Sequence, residues 1–185
     1  TRRRICAVES SYTCTAFTIS GSKNRVNRLS NTAPLIAQQD GAVLTLAIND
    51  PPMNRMTVEF MDEFERHVLS AAADSSVRAI IVTAVGDQNF SVGMDLKQIM
   101  GVAGNRSKME AILDQRLRVL AAVENMGKPV ISTLFGFCLG GGLELPLACH
   151  FRLAAAEGAR IGLPEMDLGT VPAWEITSTQ IAAAG

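Results

Sequence analysis

The sequence predicts a single α/β domain in which strands alternate with helices. Ala79-Ile80-Ile81-Val82-Thr83-Ala84-Val85 is an unbroken apolar run stopped by Gly86-Asp87, the pattern of a parallel strand covered on both faces. Two segments with apolar residues at helical spacing flank that run. At 185 residues the chain is long enough for one hydrophobic core and too short for two comfortable ones.

The elements follow in order. Residues 1–33 are rich in Ser and Thr, carry Arg2, Arg3, Arg4, Lys23, Arg25 and Arg28, and have Glu9 as their acidic residue. Such a leader can be an organelle presequence, but it lacks an apolar face and reads as a disordered extension. Order is expected to begin at Val43 to Ile48, a strand closed by the turn Asn49-Asp50-Pro51-Pro52. Thr57 then offers an N-cap, and Phe60, Met61, Phe64, Val68 and Ala71 mark one helical face against Asp62, Glu63, Glu65 and Arg66. After the strand at 79–85, Gly101 to Ser107 reads as a loop. Met109, Leu113, Leu117, Leu120 and Val123 mark a second amphipathic helix, ended by Gly127 with Pro129 beyond. Val130 to Leu134 is a strand, followed by a glycine loop and a short helix to about Cys149. Phe151 to Ala155 is a further strand, and Ile161 to Val171 a loop region. Parallel strands joined by helical crossovers give the α/β class, and there is no internal sequence repeat.

Composition excludes several functions. Net charge is −1, which offers no electrostatic footprint for nucleic acid or an anionic membrane. No apolar run approaches the ~20 residues that cross a bilayer. Cys6, Cys14, Cys138 and Cys149 lack metal-ligand or redox spacing, and His67 and His150 lie far apart, so no metal site is expected. Cysteines in apolar surroundings behave as small hydrophobes, which fits a reducing compartment and a cytoplasmic location.

Three segments carry the chemistry. In Asn89-Phe90-Ser91-Val92-Gly93-Met94-Asp95, Gly93 permits a tight turn and Asp95 suits an N-cap. In Phe137-Cys138-Leu139-Gly140-Gly141-Gly142-Leu143-Glu144, bare backbone leads into a helix whose first N–H groups face any bound anion. Glu144 stands three residues after Gly141, on the same helical face. In Gly162-Leu163-Pro164-Glu165, proline stiffens a loop bearing a second carboxylate. Two fixed backbone donors, the N–H groups of Met94 and Gly141, could stabilise negative charge on a thioester carbonyl oxygen. Glu144 and Glu165 could share a water, one taking its proton while the other protonates the substrate carbon.

Rival readings fit less well. A phosphate-binding loop would need Lys and Ser or Thr where Gly142 and Leu143 stand, and no dinucleotide fingerprint occurs. Ser91 resembles a nucleophile elbow, but Asn89 replaces its first glycine and His150 would have to be the base. An exposed Glu144 is disfavoured by Leu143, Leu145 and Leu147 around it, while a solvated Glu165 is a fair alternative.

Phe90-Ser91-Val92-Gly93-Met94-Asp95, the Gly140–Glu144 loop and Pro164-Glu165 resemble the signatures of the crotonase, or enoyl-CoA hydratase/isomerase, superfamily. Pro51-Pro52-Met53-Asn54 is similar to that family's turn before its first helix, and the resemblance runs from about Leu35 to Pro172. It implies a crotonase-like spiral of ββα units, an acyl-CoA substrate, no metal or other cofactor, and a homotrimer or dimer of trimers. Carried over by position, Met94 and Gly141 match the oxyanion hole, and Glu144 and Glu165 match the two catalytic glutamates of the hydratases. Asn54, Arg55, Met56, Ser91, Gly93, Asp95, Leu96, Gly140 and Pro164 fall where substrate contacts are expected. Both glutamates together favour a lyase that adds or removes water. An isomerase of the same family, or a non-catalytic acyl-CoA-binding remnant, is the alternative. The departures are His150, where the family usually has Asp, and the run Gly169 to Gln180, which differs from the family's glycine-rich helix start. The expected organisation is a leader at 1–33, a core domain at 34–172, and a divergent tail at 173–185. Most of the family's C-terminal helical region would then be missing.

Overall fold

The structure, a computed structural model, describes residues 4–7, 15–18 and 33–166. The expected divergent tail, the run Gly169 to Gln180, Cys14 and most of the leader lie outside the described residues. The strands are β1 (Arg4–Ala7), β2 (Thr15–Thr18), β3 (Leu35–Asp40), β4 (Val43–Ile48), β5 (Ala79–Ala84), β6 (Val130–Leu134), β7 (Phe137–Leu139), β8 (Phe151–Ala155) and β9 (Arg160–Gly162). The helices are α1 (Val58–Ala73), α2 (Leu96–Val102), α3 (Arg106–Glu124) and α4 (Gly141–Ala148), with a 3-10 turn over Pro164–Met166.

Seven strands form the main sheet in the order β2-β1-β8-β6-β5-β4-β3. Its centre, β4, β5, β6 and β8, is parallel, as the crossover helices require. β3 pairs antiparallel with β4 through the tight turn at Gly41. β1 pairs antiparallel with β8, and β2 with β1, so part of the stretch expected to be a disordered leader extends the sheet. Those strands are four residues each, and β8 lies far along the chain, so no local periodicity could reveal the pairing.

β4, β5 and β6 are each followed by a shorter extended piece and then a helix. After β4 comes Met56, which bridges to Met94, and then α1. After β5 comes the 91–94 segment, in which Ser91 bridges to Cys138, and then α2 and α3. After β6 comes β7, which pairs parallel with β9, and then α4. The short pieces form a second layer beside the main sheet, and the repetition is the crotonase-like spiral that the sequence resemblance implies. The repeat is structural, in a sequence without internal similarity.

Burial explains the elements. The face of α1 that is buried is Phe60, Met61, Phe64, Val68 and Ala71, the stripe that the spacing predicts, and Thr57 accepts the N-cap bond from Phe60 N at 3.1 Å. Phe60 and Phe64 stack with ring centres 5.6 Å apart. These residues meet Leu46, Ile48, Ile80 and Val82 from the sheet and Val119, Leu120 and Val123 from α3. Each such side chain, fully buried, contributes roughly 1.5–3 kcal/mol. β5 departs from the expectation of cover on both faces: Ile80, Val82 and Ala84 are buried, while Ala79, Ile81 and Thr83 are partly exposed. α3 also starts earlier than expected, inside the anticipated loop, because Asn105 caps it by accepting from Lys108 N at 3.0 Å.

Candidate active site

Main-chain and side-chain hydrogen bonds tie the three candidate segments together. Asn89 is buried, accepts from Phe137 N at 3.0 Å and donates to Pro52 O at 2.9 Å, which ties three loops together. Ser91 N donates to Phe137 O, and Leu139 N donates to Ser91 O, both at 3.0 Å. Met56 N donates to Gly93 O at 2.8 Å, and Asp95 N donates to Met56 O at 3.1 Å. In a parallel bridge of that kind, the intervening residue, Met94, directs its own N–H and C=O away from Met56. Gly93 has φ +96°, and a Cβ there would lie 2.8 Å from Leu139 O and 3.4 Å from Gly141 N. The two glycine segments therefore touch backbone to backbone, an approach that a side chain would block. Gly142 is equally close, since its Cβ would fall 2.6 Å from Ser91 O.

Gly141 opens α4, so its N–H has no acceptor within the helix. Gly140, at φ +53°, donates to Gly162 O at 3.1 Å and accepts from Leu143 N at 2.7 Å and Glu144 N at 3.0 Å. Glu144 lies in the first turn of α4 and is only 3% exposed. Glu165 sits on the 3-10 turn that Pro164 begins, and its Oε1 lies 2.5 Å from where a Gly140 Cβ would stand. Glu165 thus borders Gly140 directly, and Glu144 N is bonded to the Gly140 carbonyl.

Charged and polar residues flanking Met56 and Met94 pair with one another. Arg55 clasps Asp50 with two bonds, Nε to Oδ2 at 2.6 Å and a terminal nitrogen to Oδ1 at 3.1 Å, and stands 3.5 Å from Asp95. Hydrogen bonding to Arg55 holds the Asp50 carboxyl below its usual range, and burial opposes the shift. Asp95 caps α2 by accepting from Lys97 N and Gln98 N, and Leu96 beside it is exposed. Gln98 locks α2 onto α1, accepting from Val58 N at 2.8 Å and donating to the Glu59 carboxylate at 2.9 Å.

Three residues expected among substrate contacts belong to the framework. Asn54, Met56 and Ser91 are all 0% exposed. Asn54 adopts φ +50°, donates to Val85 O and Asn89 O, and accepts from Asp50 N. Asparagine tolerates that left-handed conformation better than other side chains with a Cβ. The Ser91 hydroxyl donates to Asn54 O at 2.7 Å and accepts from Gly93 N at 3.1 Å. His150 Nδ1 accepts from Val130 N at 3.0 Å, and its Nε2 meets Glu124 O at 3.2 Å. Serine and histidine are engaged at separate places, which leaves the nucleophile-elbow reading without geometry. Cys138 and Cys149 are buried free thiols, pushed up by desolvation to about 11 and about 12.

Sequence reasoning missed Arg116. It is 1% exposed and lies on the buried stripe of α3 with Val119, Leu120 and Val123. Burial lowers its guanidinium to about 10, and the negative charge of Glu144 opposes that shift. The available signal was an arginine at helical spacing from Leu113 and Leu120, inside an apolar stripe. Among the described residues, no group of three or more His, Cys, Asp or Glu side chains could hold a metal ion, and no helix is long and apolar enough to cross a membrane.

Residues 38–185 match the family described as enoyl-CoA hydratase/isomerase. The chain belongs to that family. A Bacillus subtilis (strain 168) protein named "Probable enoyl-CoA hydratase" is 37% identical over 142 residues, covering 77% of this chain and 53% of the relative. A crotonyl-CoA hydratase of Syntrophomonas wolfei subsp. wolfei is 34% identical over 139 residues, 75% of this chain and 52% of the relative. The crystal structure of an enoyl-CoA hydratase from Bacillus anthracis superposes with a TM-score of 0.69 at 29% identity, covering 76% of this chain and 54% of that one. The crotonase superfamily chain described here spans about half the length of these relatives.

Proposed function

We propose that this chain carries the site of an enoyl-CoA hydratase-type lyase, which adds water to an acyl-CoA thioester or removes it. The observation that carries the reading is the placement of Glu165 against Gly140, in the loop whose next residues are the Gly141 donor and Glu144. The N–H groups of Met94 and Gly141 hold the thioester carbonyl oxygen as negative charge develops on it. One such donor is worth on the order of 100- to 1000-fold in rate. One glutamate takes a proton from water as its oxygen bonds to the β carbon, and the other gives a proton to the α carbon. Dehydration reverses both transfers. No metal or redox cofactor enters this chemistry. An isomerase would share the donors and move a proton between carbons without adding water.

The test is conversion of a short enoyl-CoA to its 3-hydroxy product by the purified chain, compared with Glu144→Gln. Loss of at least about 100-fold in kcat is expected from removing a proton-transfer group. Unchanged hydration in the variant would refute the mechanism, and double-bond migration without water uptake would favour the isomerase. A homotrimer or dimer of trimers is part of the same proposal, with the half-exposed Phe151 and Ile161 as surface available to it. Sedimentation of the purified chain tests it. The buried free thiols fit a reducing compartment, which supports a cytoplasmic location.

A further inference from the structure

Asn54 is fully buried and, among the described residues, is the one non-glycine with positive φ, at +50°. Its polar atoms are engaged with other segments of the chain. Nδ2 donates to Val85 O at 3.0 Å and to Asn89 O at 2.8 Å, which commits both of its hydrogens, and Oδ1 accepts from Asp50 N at 3.1 Å. The Asn54 carbonyl accepts from the Ser91 hydroxyl at 2.7 Å, and that hydroxyl accepts from Gly93 N at 3.1 Å. Residues 52–56 and 89–95 therefore run side by side. Pro52 O accepts from Asn89 Nδ2, Met53 O accepts from Val92 N, and Met56 closes the series by donating to Gly93 O and accepting from Asp95 N. The Met94 N–H belongs to the peptide whose carbonyl is Gly93 O. A trans peptide points its N–H opposite to its C=O, so the 2.8 Å bond from Met56 N aims the Met94 N–H away from Met56.

We propose that Asn54, acting with the Ser91 hydroxyl, is a positioning residue for the Met94 amide. Its side chain and carbonyl set the register between the turn before α1 and the 89–95 segment, and with it the direction of the Met94 N–H. The inference deepens the hydratase reading and rests on it for its catalytic meaning, while the register is a claim about the fold alone. Removing the side chain strips two carbonyls, Val85 O and Asn89 O, of a shared donor at a buried site, where an unmade bond costs more than at the surface. The bond nearest the proposed donor, Met56 N to Gly93 O, is the one that loses its alignment.

The experiment separates the side chain from the backbone conformation. Asn54→Gly keeps the left-handed turn accessible and removes the side-chain bonds. Amide exchange is followed by NMR in the full chain labelled with 15N-methionine, which carries eight methionines, with peaks assigned by Met56→Leu and Met61→Leu. Met56 reports the bond to Gly93 O, and Met61, whose N–H donates to Thr57 O, is the reference. The ratio of Met56 to Met61 exchange rates is expected to rise about tenfold or more in Asn54→Gly, because the opening is local rather than global. A rise of less than about threefold overturns the proposal. Where hydration of a short enoyl-CoA is measurable, kcat falls about tenfold or more while KM changes less, and a kcat within about threefold of wild type overturns the positioning role. Absence of hydration in the wild type counts against the hydratase reading alone, and the exchange ratio then decides the proposal. Should Asn54→Gly fail to fold, Ser91→Ala carries the same comparison, since it removes the bonds to Asn54 O and Gly93 N with little change in volume. An unchanged ratio in that variant overturns the proposal.

Discussion

Replacing Gly142 by alanine isolates the contact on which the proposed donor geometry depends. The backbone of Gly142 is not in the left-handed region, so a methyl group there strains no dihedral angle. It meets atoms instead: Ser91 O at 2.6 Å, Ser91 Cβ at 2.8 Å and Ser91 C at 3.0 Å. Ordinary contact begins near 3.4 Å, so α4 and the 91–94 segment must separate by about 0.8 Å. Ser91 is held on its other side by Leu139 N and by Asn54 O, and cannot recede without loosening those bonds. Overpacking of this kind costs roughly 1–3 kcal/mol, or a fall in Tm of about 2–10 °C for a chain of this size. Misplacing a reacting group by about 1 Å costs on the order of 100-fold in rate. Gly142→Ala should therefore remain folded, with a lower Tm and a kcat for hydration reduced by about 100-fold. Gly104→Ala is the control, since its methyl group would meet nothing within 4 Å and should leave Tm and kcat unchanged. Calorimetry and steady-state assay of both variants decide the matter. A Gly142→Ala chain with kcat within threefold of wild type would refute the claim that these two segments jointly set the donors.

Further outcomes are expected elsewhere. Gly140→Ala combines a φ of +53° with a methyl group 2.5 Å from Glu165 Oε1, so it should displace that carboxylate and reduce kcat more than it raises KM. The backbone strain adds roughly 1–2 kcal/mol of destabilisation, readable by denaturant titration. Asp50 is depressed below its usual value of 3.8, so its pairing with Arg55 stabilises the fold above that value and is lost as pH falls through the lower folded one. Arg55→Ala should cost about 1 kcal/mol or less near neutrality, after solvent screening, and the difference from wild type should vanish in strong acid. Cys138 and Cys149 should resist maleimide at pH 8 in the folded chain and react fully in denaturant, with peptide mapping to locate the label.

The helices were the most legible part of the fold. The apolar stripe of α1 and its Thr57 cap could be read from spacing, because a sixteen-residue helix repeats its signal over several turns. β3 was missed: after Leu35 and Ile36 its residues run Ala37-Gln38-Gln39-Asp40 on an exposed edge, where no apolar alternation is required. β7 and β9 span three residues each, shorter than any periodicity, and are held by pairing between distant segments. The glycine loop and the two glutamates proposed for the site stand out in sequence because bare backbone beside a carboxylate is unusual at any position. The sequence places Asn54 among substrate contacts, while the structure shows it buried and bracing loops, because a polar side chain near a motif looks the same in sequence in either role. Arg116 escaped notice because nothing in the spacing of α3 shows that a charge inside an apolar stripe will be buried.

The one-residue bridge between Met56 and Met94 uses the main chain of Gly93 and Asp95 and leaves the Met94 N–H out of the pairing. Any amino acid except proline would present the same hydrogen at position 94. If the proposed function holds, substitutions at position 94 would alter the side chain beside the substrate while the amide proposed for the oxyanion hole stays in place.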